Sequence, residues 1–125
     1  MDIHSGVDII RINRLAQVNP AIRNRFFHRV FNEEERLFIQ EVDERAAGIF
    51  AAKEAVSKVL GTGIGRISWQ DIFIHHAPSG KPSVILKGSA LTRSRHLGII
   101  SWSVSISHSR ENAVAVAIAL GDEKA

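Results

Sequence analysis

The sequence predicts an α+β fold in which one alanine-rich helix packs on a mainly antiparallel sheet, and three stretches carry that expectation. Residues 46–60 are nearly all apolar at helical spacing. Ile100, Trp102, Val104, Ile106 and His108 alternate with serines, and Val114, Val116, Ile118 and Leu120 alternate with alanines, which is the pattern of a hairpin. Faces made of such small residues let a helix come close, so a layered arrangement follows.

Taken in order, Ile3 to Ile10 reads as a strand with Ile3, Ser5, Val7 and Ile9 on one face and His4, Gly6 and Asp8 on the other. Because Asp8 shares its face with a glycine, open space is expected beside its carboxylate, as a ligand requires. A strand end beside a turn is the plain alternative. Ile12 to Val30 reads as one or two helical pieces broken at Asn19-Pro20. Asn32 followed by Glu35 is a capping-box start for a helix running to about Val42. After a short acidic turn comes the Ala46 to Leu60 helix, then a loop carrying Gly61, Gly63 and Gly65. Strands at Asp71 to His75 and Ser83 to Leu86 flank the turn Pro78-Ser79-Gly80-Lys81-Pro82. Thr92 to His96 is helix or loop, and the hairpin closes the chain.

With 125 residues, 45% of them hydrophobic, the chain suits one compact domain over residues 1–125 that needs no staples. Zero cysteines exclude disulfides, thiolate zinc sites and cysteine nucleophiles. No apolar run approaches a membrane span, and MDIHSGVDII lacks the pattern of a secretory signal, so a cytoplasmic protein without a membrane partner is expected. The net charge of +3 is unevenly spread. Five arginines and no acid occupy residues 11–29, whereas residues 32–44 hold Glu33, Glu34, Glu35, Glu41, Asp43 and Glu44. Such an arginine patch calls for an acidic partner. Tyrosine is absent and no reading helix is evident, which favours an acidic protein over nucleic acid.

The residues that carry chemistry cluster on the central helix. At about 100° per residue, Lys53, Glu54, Ser57, Lys58 and Gly61 fall within an arc of about 140°, a polar edge on an apolar helix. Glu54 and Lys58 also have the i, i+4 spacing of an ordinary surface pair. The three glycines could turn their N–H groups toward an anion, or Gly61 could simply end the helix in a left-handed conformation. The glycines follow the helix, so neither a Rossmann nor a Walker A motif is present. His75 and His76 are adjacent and point to opposite faces of a strand, which prevents joint metal binding. His108 closes a strand, either bordering a site or as an ordinary strand end. Asp8 and Glu54, if brought together, would offer hard oxygen ligands to a magnesium ion, with Lys58 near a substrate phosphate.

Taken together, GVDII, FHRVFNEEE, FAAKEAVSKVLGTGIG, WQDIFI, SGKP and VSISHS stand in an order and spacing that resemble the holo-acyl-carrier-protein synthases, the short phosphopantetheinyl transferases. The resemblance spans nearly the whole chain. It implies transfer of phosphopantetheine from coenzyme A to a serine of an acidic acyl carrier protein in support of fatty acid biosynthesis, by a homotrimer with sites between subunits. By similarity, Asp8 and Glu54 hold magnesium, and Lys58 contacts the pyrophosphate. Gly61, Thr62, Gly63, Gly80, Lys81 and Pro82 line the nucleotide site with His108, and Arg14, Arg25 and Arg29 meet the carrier. The family commonly has arginine in AGRFAAKEA where this chain has Ile49, and Arg45 or an arginine of another subunit is expected to take over that contact. The serine proton could pass to Glu54 through a water, to a metal-bound hydroxide, or to His108. A nonenzymatic coenzyme A-binding module and a basic nucleic-acid-binding domain are the alternative classes.

Overall fold

The computed structural model describes residues 1–16, 18–61, 64 and 66–122, Ala16 by its backbone alone. The elements are β1 (Asp2–Arg11), α1 (Asn13–Ala16), α2 (Pro20–Val30), α3 (Glu33–Ile39), α4 (Asp43–Leu60), a 3-10 turn (Trp69–Asp71), β2 (Ile72–His76), β3 (Pro82–Leu86), α5 (Gly88–His96), β4 (Ile99–His108) and β5 (Asn112–Gly121). β5 is the middle strand of a three-stranded antiparallel sheet ordered β1-β5-β4, and β2 pairs with β3 in a separate antiparallel hairpin. The expected α+β layering is present.

The two-residue period of the strands decides which face meets α4. Ala113, Ala115, Ala117 and Ala119 of β5 are fully buried. They lie in register with Ile10, Asp8, Gly6 and His4 of β1, and with His108, Ile106, Val104 and Trp102 of β4. Against them packs α4, whose Ala51, Ala52 and Ala55 are buried as well. With alanine facing alanine, helix and sheet close up tightly. A Cβ on Gly48 would stand 2.8 Å from Ile106 Cγ2, and one on Gly6 only 2.2 Å from the Ala55 carbonyl oxygen. Gly6 is therefore required for the approach of β1 to α4. The open space expected beside it is filled by the helix backbone, which is the first correction to the sequence reading.

The opposite face of the sheet is uncovered. Ile3, Val7 and Ile9 are 76%, 54% and 66% exposed, and Val116 and Ile118 extend the same apolar surface. The serines of β4 share this outer side, so only the alanine face packs on the helix as expected. Ile100 also drops out of the inward set, because the register shifts between Ile99 and Ser101.

Element ends follow local chemistry. Asn19 accepts from the Ala21 N–H and Pro20 sits in the first turn, so α2 starts at the predicted break. α3 stops at Ile39, short of Val42, because Gln40 and Glu41 adopt left-handed φ values of 46° and 63°. The acidic segment expected as a turn is instead the first turn of α4, where Asp43 and Glu44 complement the helix dipole. Thr92 to His96 is the second half of α5.

Lys53 departs furthest from expectation. Far from standing on a polar edge, it is fully buried, with its ammonium 2.8 Å from Glu35 Oε1 and donating to the carbonyls of Val30 (2.7 Å) and Trp69 (3.1 Å). The same Glu35 closes the predicted capping box with Asn32 and accepts from the Ile74 N–H at 2.9 Å. Burial lowers the Lys53 pKa and the Glu35 carboxylate opposes that shift. Every donor of the ammonium is matched, the condition under which a buried pair persists.

Candidate functional site

Three of the predicted residues meet where β1 passes α4. The glycine contact at Gly6 brings the strand against the helix, and two residues on Asp8 presents its carboxylate toward α4. Lys58 reaches across to it at 3.2 Å and donates to the Val7 carbonyl at 2.7 Å. The i, i+4 pair with Glu54 is thus replaced by a contact between elements. Glu54 stands one helical turn earlier and borders the same cleft as Asp8. Its pKa is raised, first by burial and then by the Asp8 charge, with Lys58 acting in the opposite direction. Among the described residues, none donates a hydrogen bond to the Glu54 carboxylate. The polar edge of α4 is therefore narrower than expected, since Ser57 is buried and its hydroxyl donates to the Glu54 carbonyl.

The cleft beside this acidic pair has a volume of about 590 Å³. Leu15, Ile22, Phe26 and Phe50 form its apolar wall, and Arg14 lies at its rim with Asp8 and Glu54. Phe26 and Phe50 hold α2 against α4, with ring centroids 5.6 Å apart. No motif announces this wall; the i, i+4 spacing of Ile22 and Phe26 is the signal that could have found it. Arg14, Arg25 and Arg29 are all exposed, so their charges are available to a partner. Arg23 is committed elsewhere, bridged to Asp43 at 2.8 Å and donating to the Leu15 carbonyl.

Other predicted residues are not brought to this place. His108 ends β4, the edge strand opposite β1, two strand spacings or about 10 Å away. Arg45 lies nine residues before Glu54, about 180° around the helix axis and about 13 Å along it. Its guanidinium donates to the Phe38 carbonyl at 2.9 Å and covers the Phe38 ring, which is stacked on His76. Ile49 is buried in the core. Gly61 is the left-handed cap of α4, with φ 75° and its N–H directed to Ser57 and Lys58 carbonyls. Gly80 has φ 90° with open space around it and Lys81 is exposed, both in the β2–β3 turn, and Pro82 begins β3. Thr62, Gly63 and Gly65 lie outside the described residues.

Asp8 and Glu54 fit a hard divalent cation as a two-carboxylate donor set: oxygen ligands, close enough to repel, one of them without a hydrogen-bond donor. Among the described residues no group of three or more candidate metal ligands gathers, so further ligands would have to come from water or substrate.

The family model described as the 4'-phosphopantetheinyl transferase superfamily matches residues 5–119. A holo-[acyl-carrier-protein] synthase of Caldanaerobacter subterraneus subsp. tengcongensis is 45% identical over 126 residues, covering 98% of each chain. The holo-[acyl-carrier-protein] synthase of Helicobacter pylori, solved in complex with coenzyme A, superposes with a TM-score of 0.83 at 32% identity, over 93% of this chain and 99% of that one. The Bacillus anthracis synthase, solved in complex with coenzyme A (3',5'-ADP), gives a TM-score of 0.75 at 35% identity, over 95% and 96%.

Proposed function

The chain belongs to the 4'-phosphopantetheinyl transferase superfamily, and from that premise we propose how its residues transfer 4'-phosphopantetheine from coenzyme A to a serine of an apo acyl carrier protein. The convergence of Asp8, Glu54 and Lys58 beside an apolar cleft rimmed by Arg14 is the observation that carries the assignment of the site.

In the transfer, the serine oxygen bonds to the β-phosphorus of coenzyme A while the bond to the bridging oxygen breaks, releasing adenosine 3',5'-bisphosphate. Lys58 places a positive charge where the pyrophosphate must lie, and the Asp8 carboxylate and Val7 carbonyl hold it there. Asp8 and Glu54 are assigned to magnesium, which when bound supplies charge neutralisation of the phosphates. We assign Glu54, whose carboxylate borders the cleft and accepts no hydrogen bond among the described residues, as the acceptor of the serine proton through a water. The apolar wall around Ile22 and Phe26, flanked by Arg14, Arg25 and Arg29, suits an acidic carrier that also presents an apolar side chain.

A homotrimer is part of the proposal. The sheet face of Ile3, Val7, Ile9, Val116 and Ile118 is too apolar to leave in water, and joining copies through it would cover it. His108, Arg45, Gly80, Lys81 and Pro82, remote from Asp8 within one chain, would then serve the nucleotide bound at a neighbouring subunit's acidic pair. No helix among the described residues is long and apolar enough to cross a membrane, and we assign the reaction to the cytoplasm. Release of adenosine 3',5'-bisphosphate tests the reading: it should require coenzyme A, magnesium and apo carrier together. Release without carrier would indicate hydrolysis, and tight coenzyme A binding without release would leave a binding module.

A further inference from the structure

The helix that bears Arg25 and Arg29, α2, buries little of itself. Val30 is the sole buried residue of α2. Phe26 and Phe27 lean on neighbouring rings without being enclosed. Ring packing at Phe26 and the bridge from Arg23 to Asp43 hold its middle. Its C-terminal end is gripped by side chains from other elements. The final carbonyls of a helix have no partners within it. Here Gln70 Nε2 donates to the His28 carbonyl at 2.7 Å and lies 3.4 Å from that of Phe31. Lys53 donates to the Val30 carbonyl, and Arg36 donates to that of Phe31. Three donors, from the Trp69–Asp71 turn, α4 and α3, thus close on the last turn of α2 and the residue after it.

Gln70 belongs to the WQDIFI segment, none of whose residues lines the cleft at Asp8 and Glu54. Its neighbour Trp69 stacks on Phe50 with centroids 5.0 Å apart, and Phe50 in turn lines the cleft at Glu54. The segment therefore references α2 to the wall of the site itself. We propose that Gln70 is a positioning residue for carrier recognition: by holding the His28 and Phe31 carbonyls it sets the tilt of α2 and with it the place of Arg25 and Arg29 relative to Glu54. The inference rests on the reading of those arginines as the carrier-binding face.

Gln70→Leu keeps most of the side chain's bulk and removes both donors. With wild type transferring phosphopantetheine, the variant should raise the KM for apo carrier roughly three- to ten-fold while the KM for coenzyme A and kcat stay within about two-fold. Adding Arg29→Ala should then weaken carrier binding less than it does in wild type, because the arginine is already misplaced. A purely structural role would lower the unfolding midpoint and the active fraction and leave both KM values unchanged. A carrier KM within about two-fold of wild type, a parallel rise of both KM values, or full additivity with Arg29→Ala would overturn the proposal. Absence of transfer by wild type would instead overturn the functional reading on which it rests.

Discussion

Lys58 on α4 bonds Asp8 on β1, Nζ to Oδ1 at 3.2 Å, fifty residues away in the sequence. The contact exists because Gly6, two residues before Asp8, lets the strand touch the helix backbone at Ala55. A side chain there would have to displace a carbonyl oxygen rather than a flexible side chain. Gly6→Ala should accordingly destabilise the protein by about 3 kcal/mol and depress transfer by shifting Asp8 away from α4. Ser5→Ala, on the outer face, should stay within about 0.5 kcal/mol. Urea unfolding of the two variants makes the comparison, and equal stabilities would show that the close approach carries no weight.

The raised pKa of Glu54 gives a signed pH dependence. A carboxyl whose folded-state pKa lies above its ordinary 4.5 contributes stability that is fully present below that value and lost as the pH rises through the raised one. Glu54→Gln removes the loss. Without magnesium, the variant should gain in unfolding midpoint relative to wild type as the pH climbs from below 4.5 to neutrality. A constant difference across that window would contradict the burial and Asp8 repulsion assigned to this carboxyl.

Magnesium should act through the same pair. If Asp8 and Glu54 hold it, the ion raises the wild-type unfolding midpoint by mass action, and Asp8→Asn or Glu54→Gln abolishes the rise. Each variant should lose most transfer activity, and the double variant should be little worse than either single one. Magnesium stabilisation that survives in both variants would place the ion elsewhere.

Much of this site was legible in the sequence, and what escaped has physical causes. Period-two alternation located β1, β4 and β5, and helical spacing located α4. Periodicity could not say which face of β1 is covered. Ile3, Val7 and Ile9 are the more apolar set, yet Gly6 and the β5 alanines admit the helix because they are small. Helical spacing puts Lys53 on the polar edge, but its partner Glu35 lies on another helix, where the local pattern marks that glutamate only as a cap. The end of α3 and the start of α4 differ from expectation because two consecutive left-handed residues, Gln40 and Glu41, carry no glycine to announce them.

Carrier recognition should respond to charge. Arg25→Glu and Arg29→Glu should each raise the carrier KM about ten-fold or more and leave coenzyme A binding near normal, with the wild-type interaction weakening as salt rises. Kinetics at two ionic strengths suffice, and equal loss of both affinities would point to misfolding.

The uncovered sheet face predicts association. Light scattering at micromolar concentration should give a trimer, and Ile118→Lys, which puts a charge in the middle of that face, should give a monomer with little transfer activity. A fully active monomer would remove the assignment of sites between subunits.

The most direct measurement weighs the carrier protein. Apo acyl carrier protein incubated with coenzyme A, magnesium and the wild-type chain should gain the mass of one phosphopantetheine on its serine. In parallel reactions, folded Asp8→Asn and Glu54→Gln should leave most of the carrier unmodified. An unchanged carrier mass with folded wild-type protein, or full modification by both variants, would contradict the transfer assigned to Asp8, Glu54 and Lys58.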